Sequence, residues 1–323
     1  MQRFRLALLL IVAGLVLASQ ALAAEMLQIS SHTPRDLAQF LDANSARPQV
    51  TITGDLSLPG NASGKVPAMV IVHGSGGVTD RREGEWARRL NQAGIAALVI
   101  DSFRPRGIGD TATNQGKLSI WANVADALAA LRVLAADSRI DPNKIGIMGF
   151  SRGGRVVLLT ALEPIVRVMV PPPLRFAIHV PLYPSCNLRY ISNQPTGAPL
   201  SMHLGETDDY TPAAPCLDYA QWFQSKGVPA SATVYPGAGH GFDLPTEPRW
   251  LASAATGRGC LVEGDLDTLT WKVLATGQTL SSEAEVMAYN RKCGSRGATF
   301  GGNPVARQQV FENVLGVLRE AFR

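Results

Sequence analysis

The sequence lacks the charge excess and the long basic runs that are typical of nucleic-acid-binding proteins. Charged residues make up 17% of its 323 residues, and the formal net charge is only +4. Arg3 and Arg5 lie in a segment that we expect to be removed, which leaves 28 basic side chains against 26 acidic ones. Arg81-Arg82, a basic run of two, is followed at once by Glu83. No nucleic-acid partner is therefore expected.

Cysteine is also scarce, and no two cysteines have the C-x-x-C spacing of zinc or thioredoxin-like sites, so no metal site is expected. All four cysteines lie in the second half of the chain. An even number in an exported chain predicts two disulfides, and four cysteines allow three connectivities. We prefer Cys186 with Cys216 and Cys260 with Cys293, because each pair closes a loop of moderate length.

Long apolar runs are absent except at the N-terminus, where residues 6–17 are uninterruptedly apolar. Two arginines precede this run, and Ala21-Leu22-Ala23 follows it as a small-x-small cleavage site. This arrangement predicts a signal peptide over residues 1–23 and a periplasmic or secreted protein. The alternative is an uncleaved anchor, but the run is shorter than the ~20 residues of a membrane span. No membrane association is expected after cleavage.

Short apolar segments alternate with longer amphipathic ones through the rest of the chain. Segments 68–72, 95–100 and 144–148 are apolar along nearly their whole length, as strands are when both faces of a parallel sheet are covered. We therefore predict a single α/β domain over residues 24–323, with a mostly parallel central sheet and helices on both faces. Further strands are expected at 49–58, 176–180, 200–204 and 230–234, and helices at 36–44, 86–92, 121–134, 156–162 and from Asn303-Pro304 onward.

One stretch, at about residues 244–297, shows no clear periodicity. A structureless loop of this length is unusual in a compact domain. Because it contains Cys260 and Cys293, we interpret it as an excursion that a disulfide holds in place and that covers part of the active-site mouth.

The segment Gly149-Phe150-Ser151-Arg152-Gly153 fits the pattern G-x-S-x-G. The pattern alone is weak, but here it follows a predicted strand and precedes a predicted helix, which is the setting of a nucleophile elbow. Glycines on both sides of the serine permit a tight turn. Ser151 is therefore the predicted nucleophile, and the alternative is a serine that caps a helix.

A serine hydroxyl needs a base to become nucleophilic, and His240 is the best candidate among five histidines. It lies between two glycines on a loop that follows strand 230–234, where an imidazole can reach the nucleophile. Of the other four, His32 precedes the predicted sheet, His179 and His203 are assigned to the core or to strand ends, and His73 is assigned a backbone role.

The orienting acid should lie between the serine and the histidine in the chain. The loop after strand 200–204 contains three acids, of which Asp208 is preferred, Asp209 is second and Glu206 is last. The order serine, aspartate, histidine is that of the α/β-hydrolase fold.

The anionic oxygen of a tetrahedral intermediate needs hydrogen-bond donors. The backbone N–H of Arg152, at the start of the helix, is the first expected donor. The second should come from the glycine-rich loop at 73–77. We expect the N–H of Ser75 in this role, with Gly76 as the fallback.

The chain resembles the dienelactone hydrolase family in five segments that run in order through nearly all of the mature chain. These are 73–77 (HGSGG), 101–107 (DSFRPRG), 149–154 (GFSRGG), 205–212 (GETDDYTP) and 239–242 (GHGF). The resemblance implies a Ser/Cys–Asp–His hydrolase that acts on esters or lactones without a cofactor, so the expected partner is a small-molecule ester.

The sequence departs from the type enzyme of that family in two places. The type enzyme has a cysteine nucleophile, where this chain has Ser151. It also has a glutamate near the oxyanion loop that restrains the thiol, and Gly74 or Ser75 occupies that region here. Both differences favour a general esterase over an enzyme specific for dienelactone.

Four arginines near the predicted site carry the charge that recognition of an acidic substrate requires. The alternative is that they pair with nearby acids such as Asp101 or lie on the surface. Of the four, Arg106 is included among the predicted substrate contacts. They are Arg104, Arg106, Arg152 and Arg155.

Three uncharged residues complete the predicted substrate contacts. Gly76 lies in the oxyanion loop, while Tyr210 and Phe242 adjoin the predicted acid and base in the sequence. Core packing is an equally good explanation for the two aromatic side chains.

The favoured hypothesis is a carboxylic-ester hydrolase that works through an acyl-enzyme on Ser151. A peptidase of the prolyl-oligopeptidase type would use a similar catalytic domain, although the chain has no room for a propeller-sized N-terminal domain. A non-catalytic binding protein on the same fold is the third hypothesis, and it predicts a broken triad.

Overall fold

A mixed eight-stranded sheet runs through the centre of the molecule. A computed structural model of the chain describes residues 24–42, 44, 47–60 and 64–323. The strands of the described residues are β1 (Glu25–His32), β2 (Gln49–Ser57), β3 (Val66–Val72), β4 (Ala96–Asp101), β5 (Ile140–Phe150), β6 (His179–Leu182), β7 (Leu188–Ile191), β8 (Leu200–Gly205), β9 (Ala230–Tyr235), β10 (Arg249–Thr256), β11 (Val262–Asp265), β12 (Thr270–Val273), β13 (Thr279–Leu280) and β14 (Ser295–Phe300). The α-helices are α1 (Leu37–Leu41), α2 (Glu85–Gln92), α3 (Ile120–Ala136), α4 (Arg152–Leu159), α5 (Glu163–Val166), α6 (Ala213–Ser225), α7 (Glu283–Cys293) and α8 (Pro304–Ala321).

The strand order of the main sheet is β1-β2-β4-β3-β5-β6-β8-β9. β1 and β2 pair antiparallel, as do β2 and β4, and every other neighbouring pair in this sheet is parallel. The architecture is therefore the predicted α/β-hydrolase type, with a mostly parallel central sheet. In such a sheet, the loops that follow the parallel strands gather at one edge, where ligands bind.

Alternation of side chains along the central strands divides the core into two layers. In β3, Val70 and Val72 pack in a cluster with α3 and α4, while Met69 and Ile71 pack on the other face with α2 and α8. Successive side chains of a strand point to opposite faces, and both faces here are covered by helices. This explains why segments 68–72 and 95–100 are apolar at every position: all residues of β4 are buried.

Two elements begin earlier than the sequence predicts. β5 starts at Ile140 instead of residue 144, so Asp141-Pro142 lies inside the strand instead of forming a turn before it. A register shift between Val66 and Ala68 in the pairing with β3 falls beside this proline, and irregular pairing is where a strand tolerates a residue without an N–H. Similarly, α4 begins at Arg152 instead of residue 156.

Whole elements were also not predicted from the sequence, among them the 13-residue helix α6. β1 and β7 were not predicted, and the helix expected at 36–44 ends at Leu41. The strand expected at 176–180 is β6, which begins three residues later and ends two residues later than expected. The predicted signal peptide, residues 1–23, lies outside the described residues.

The stretch at 244–297 is structured. Its strands β11, β12 and β13 extend β7 into a four-stranded sheet, and β10 pairs with β14 in a two-stranded ribbon. The disulfide between Cys260 and Cys293 joins the loop before β11 to the end of α7, and the second disulfide joins Cys186 to Cys216. These are the two pairs preferred from the sequence.

Among the described residues, no helix combines the length and the apolar character that spanning a bilayer requires.

Candidate active site

Ser151 lies in a strained turn between β5 and α4. Its backbone has φ 54° and ψ −111°, a conformation that residues with a side chain rarely adopt. Such strain persists only where the surroundings enforce it. The turn raises the hydroxyl above the end of β5, at the edge of the sheet where the other loops meet.

The glycines around the serine are required by the close approach of neighbouring backbone. A Cβ on Gly149 would lie 2.5 Å from the carbonyl oxygen of Gly153. A Cβ on Gly153 would lie 2.2 Å from the carbonyl oxygen of Val72, in the adjacent strand. The sequence pattern therefore reflects a steric requirement of the fold at this turn.

His240 lies between Ser151 and Asp208, within hydrogen-bond distance of both. Its Nε2 is 2.9 Å from the Oγ of Ser151, and its Nδ1 is 2.8 Å from Oδ2 of Asp208. The imidazole is 1% exposed and the aspartate 5% exposed. Nδ1 therefore bears the proton that the carboxylate accepts, which leaves Nε2 free to accept the proton of the serine.

The three acids of the loop after β8 have separate partners. Besides the imidazole, Asp208 accepts hydrogen bonds from the backbone N–H groups of Tyr210 and Thr211 through Oδ1, both at 2.8 Å. Asp209 instead accepts from the N–H and the hydroxyl of Thr299 in β14. Glu206 accepts from the N–H of Gly237. Of the three, only Asp208 forms a hydrogen bond with His240.

Thr211 was not singled out from the sequence, yet its hydroxyl touches two members of this arrangement. The oxygen lies 3.0 Å from Nδ1 of His240, 3.0 Å from Oδ2 of Asp208 and 3.0 Å from the carbonyl oxygen of Tyr183. Because the Thr211 oxygen contacts both side chains, it restricts the positions of Asp208 and His240. A hydroxyl has one proton to donate, so it can donate to only one of its neighbours at a time. The feature of the sequence that could have indicated this role is the position of Thr211, three residues after Asp208.

Beneath the imidazole lies a buried polar group centred on Asp243. The Tyr183 hydroxyl donates to one carboxylate oxygen at 2.5 Å, and the Trp86 indole donates to the other at 2.9 Å. Burial raises the pKa of Asp243 and raises the pKa of Tyr183 well above its ordinary value. The Tyr183 ring meets the His240 ring edge-on, with centroids 4.8 Å apart. This ring contact restricts the orientation of the His240 imidazole.

The two residues expected to supply the oxyanion donors, Arg152 and Ser75, both line the cavity over the serine hydroxyl. Arg152 is the first residue of α4, where N–H groups have no partner within the helix. Ser75 lines the same cavity, and its carbonyl oxygen accepts from the N–H of Thr111, which fixes the loop. Gly76 is exposed and does not line the cavity, so the geometry favours Ser75 over Gly76.

Three of the four predicted substrate contacts do not line the cavity: Gly76, Arg106 and Phe242. Phe242 is fully buried in the core layer beneath the site, packed on Tyr183 and Tyr235. The side chain of Arg106 is only 7% exposed, and its guanidinium forms paired hydrogen bonds to Asp126 at 2.8 and 2.9 Å. Neither side chain reaches the cavity, whereas Tyr210 does line it.

The cavity over Ser151 has a volume of about 920 Å³. The excursion supplies much of its wall, through Thr256 near the end of β10, Met287 on α7 and Arg296 on β14. The chain just after the excursion contacts the histidine loop, because the N–H of Gly301 donates to the carbonyl oxygen of His240 at 3.0 Å. The expectation that this stretch covers part of the mouth agrees with these contacts.

Within the described part of the chain, no cluster of three or more histidine, cysteine or acidic side chains is arranged to hold a metal ion.

A strained serine at a strand–turn–helix junction, hydrogen-bonded to a histidine that an aspartate orients, defines an α/β hydrolase. The family model of the dienelactone hydrolase family matches residues 52–258, and the chain belongs to this family. Membership makes it a hydrolase of carboxylic esters or lactones.

Individual relatives are distant. The chain is 26% identical over 235 residues to a probable 2-oxo-3-(5-oxofuran-2-ylidene)propanoate lactonase of a Bradyrhizobium species, a match that covers 70% of this chain and 86% of the relative. A dienelactone hydrolase-like promiscuous phosphotriesterase from metagenomic libraries superimposes with a TM-score of 0.56 at 18% identity, covering 93% of this chain and all of the other. The hyperthermophilic esterase of Pyrobaculum calidifontis gives a TM-score of 0.50 at 20% identity, with 70% and 78% covered. These structures are similar to the chain in fold.

Replacing Gly153 with alanine should disrupt the serine turn, because the added Cβ meets the backbone of β3. We expect the free energy of unfolding to fall by about 3 kcal/mol and ester hydrolysis to fall with it. The matched control is Gly316→Ala on α8, where an added Cβ meets no atom within 4 Å. That variant should gain up to about 1 kcal/mol. Equal urea midpoints for the two variants would contradict the steric argument.

Replacing Arg106 with methionine should destabilise the fold without a specific effect on substrate binding. The side chain of Asp126 is 0% exposed, and removal of its partner leaves a buried, unpaired charge at a cost of about 3–5 kcal/mol. Arg88→Met breaks an exposed ion pair with Asp80 and should cost no more than about 1 kcal/mol. Urea unfolding measures both. A raised KM with unchanged stability in Arg106→Met would restore the substrate-contact hypothesis.

Proposed function

We propose that the protein hydrolyses small carboxylic esters or lactones through an acyl-enzyme on Ser151. The observation that carries this proposal is the continuous line of hydrogen bonds from the Ser151 hydroxyl to Nε2 of His240, and from Nδ1 to Asp208. It forms beside a cavity that is open to a small-molecule substrate. The partner is therefore a small ester, held in this cavity.

The first half of the proposed reaction forms the acyl-enzyme. The Oγ of Ser151 attacks the substrate carbonyl carbon while its proton passes to Nε2 of His240. The carbonyl oxygen becomes negatively charged, and in this proposal the N–H groups of Arg152 and Ser75 donate to it. When the intermediate collapses, the proton on Nε2 passes to the leaving oxygen. An ester then releases its alcohol, while the alcohol of an opened lactone stays attached to the acyl chain.

The second half releases the acid. A water molecule attacks the acyl carbon, and Nε2 of His240 takes one of its protons. The new tetrahedral intermediate collapses, and the same proton returns to the Oγ of Ser151. Throughout, Asp208 accepts the Nδ1 hydrogen bond and so stabilises the imidazolium that forms twice in each turnover.

We also propose that the protein works outside the cytoplasm, in the periplasm or as a secreted protein. The two disulfides support this, because disulfides persist in oxidising compartments. The signal-like sequence at residues 1–23 supports it independently.

Two substitutions in the same loop test the assigned acid. Asp208→Asn should lower kcat for p-nitrophenyl acetate by about 10³–10⁴-fold, because the amide no longer favours the required tautomer of His240. Asp209→Asn is the matched control: it loses the same charge one residue away, and we expect a kcat within about threefold of wild type. Equal losses in both variants would contradict the assignment of Asp208.

Ser151→Ala tests the nucleophile itself. We expect turnover of p-nitrophenyl acetate to fall by about 10⁵-fold or more with the fold intact by circular dichroism. Normal cleavage by this variant would overturn the proposal. Faster cleavage of a peptide anilide than of the acetate by the wild-type protein would favour a peptidase, and turnover of neither would favour a non-catalytic binding protein.

A further inference from the structure

The hydroxyl of Thr211 touches the catalytic histidine, yet the proposed mechanism gives it no part in the reaction. Its oxygen lies 3.0 Å from Nδ1 of His240, 3.0 Å from Oδ2 of Asp208 and 3.0 Å from the carbonyl oxygen of Tyr183. A hydroxyl has one proton to donate and two lone pairs that accept. What Thr211 does therefore depends on which neighbour receives its proton.

The carbonyl of Tyr183 has the greater need for this proton. Tyr183 is 0% exposed, and within the part of the chain that the structure describes, the Thr211 hydroxyl is the single donor to its carbonyl oxygen. A buried carbonyl that is left unpaired raises the free energy of the folded state. Asp208, by contrast, already accepts from two backbone N–H groups and from His240. We therefore assign the Thr211 proton to the Tyr183 carbonyl.

Tyr183 is itself held in a fixed position. Its backbone has φ 36°, a conformation that residues with a side chain rarely adopt and that persists only where the surroundings enforce it. Its N–H donates to the carbonyl oxygen of His203 at 2.7 Å, and its phenol donates to Asp243 at 2.5 Å. The preceding residue, Leu182, accepts from the N–H of Ser151 at 3.0 Å. The Tyr183 carbonyl is therefore fixed relative to the turn of the nucleophile.

With its proton on the Tyr183 carbonyl, the Thr211 oxygen presents a lone pair to His240. The Nδ1–H group then has two acceptors, Oδ2 of Asp208 at 2.8 Å and Oγ1 of Thr211 at 3.0 Å. Three-centre hydrogen bonds of this kind occur in folded proteins. The second acceptor favours the tautomer that has its proton on Nδ1, and it limits rotation of the ring.

We propose that Thr211 is a positioning residue for ester hydrolysis, whose hydroxyl donates to Tyr183 and accepts from Nδ1 of His240. The imidazole becomes positively charged when it takes the serine proton, and hydrogen bonds from charged donors are the stronger ones. The hydroxyl therefore stabilises the transition state more than the substrate complex. This inference rests on the proposed function, because it concerns the base of that same reaction.

Replacing Thr211 with valine removes the hydroxyl and keeps the shape of the side chain. For p-nitrophenyl acetate, we expect kcat to fall about tenfold and KM to stay within about twofold of wild type. Thr211→Ser keeps the hydroxyl and should have a kcat within about threefold of wild type. Because Thr211 also lines the cavity, a raised KM with an unchanged kcat in Thr211→Val would indicate a substrate contact and overturn the proposal.

Two further variants control for the loss of a buried hydroxyl. Thr160 is 0% exposed, and its hydroxyl donates to the carbonyl oxygen of Val157 at 2.9 Å, at the end of α4 that lies away from Ser151. Thr160→Val should lose stability in urea as Thr211→Val does, but keep kcat within about twofold of wild type. Thr211→Ala is a second variant without the hydroxyl, which keeps the test valid if the valine variant misfolds. Equal losses of kcat in the Thr160 and Thr211 variants would overturn the proposal.

A double substitution separates this role from one that only stabilises the loop. In Asp208→Asn, the side-chain amide donates to Nδ1 of His240, so Nδ1 carries no proton for Thr211 to accept. Adding Thr211→Val to Asp208→Asn should therefore lower kcat by less than about twofold, after subtraction of the rate of Ser151→Ala. A tenfold fall in both backgrounds would show that Thr211 acts independently of the Nδ1 proton, which would overturn the proposal.

The two proposals fail in different ways. Folded Thr211→Val protein with the kcat of wild type would overturn the role of Thr211 and leave ester hydrolysis at Ser151 intact. Wild-type protein that does not hydrolyse p-nitrophenyl acetate would overturn the proposed function, and the role of Thr211 with it.

Discussion

The structure depends above all on the turn that holds Ser151 at φ 54°. This conformation is unfavourable in isolation, and it persists because the backbone of α4 is pressed against β3 with no room for a side chain at Gly153. The same contact sets the first turn of α4. It therefore fixes the positions of two groups at once: the serine hydroxyl and the N–H of Arg152. In the proposed mechanism these are the nucleophile and an oxyanion donor.

The excursion and the residues just after it, as far as Gly301, are hydrogen-bonded to both loops that complete the site. Thr299 of β14 donates to Asp209, beside the orienting acid, and Gly301 donates to the backbone of His240. Thr256 of β10 donates to the carbonyl oxygen of Tyr210. This part of the chain thus serves two purposes, since the excursion walls the cavity and the residues up to Gly301 restrain the loops of Asp208 and His240. Its own position is held by the disulfide between Cys260 and Cys293.

The parts of the site that could be predicted from the sequence are those where the backbone restricts the residue type. Ser151 and His240 were identifiable because glycines flank each of them, and Asp208 because it follows an apolar strand. The apolar strands β3 and β4 were identifiable because both faces are covered. By contrast, the partner of Arg106 is Asp126, 20 positions away on α3, and no local pattern reveals such a pair.

The same limit applies to Phe242 and to the cavity wall. Phe242 adjoins His240 in the chain, but the loop turns it into the core layer with Tyr235, and position in the sequence does not determine that direction. The lining residues of α7 and β14 come from a stretch without periodicity, so only the three-dimensional arrangement brings them to Ser151. Arg155 was one of four candidate arginines in the sequence, and among the described residues its buried Nε has no hydrogen-bond acceptor.

The central claim is that the hydrogen bonds to His240 make the Ser151 hydroxyl reactive. Treatment with a fluorophosphonate, followed by intact-mass analysis and peptide mapping, tests it most directly, because only an activated serine attacks phosphorus at a useful rate. The account predicts one adduct per chain, located on Ser151 and absent from His240→Ala. A protein that remains unlabelled while folded, or that is labelled elsewhere with Ser151 unmodified, would contradict the account.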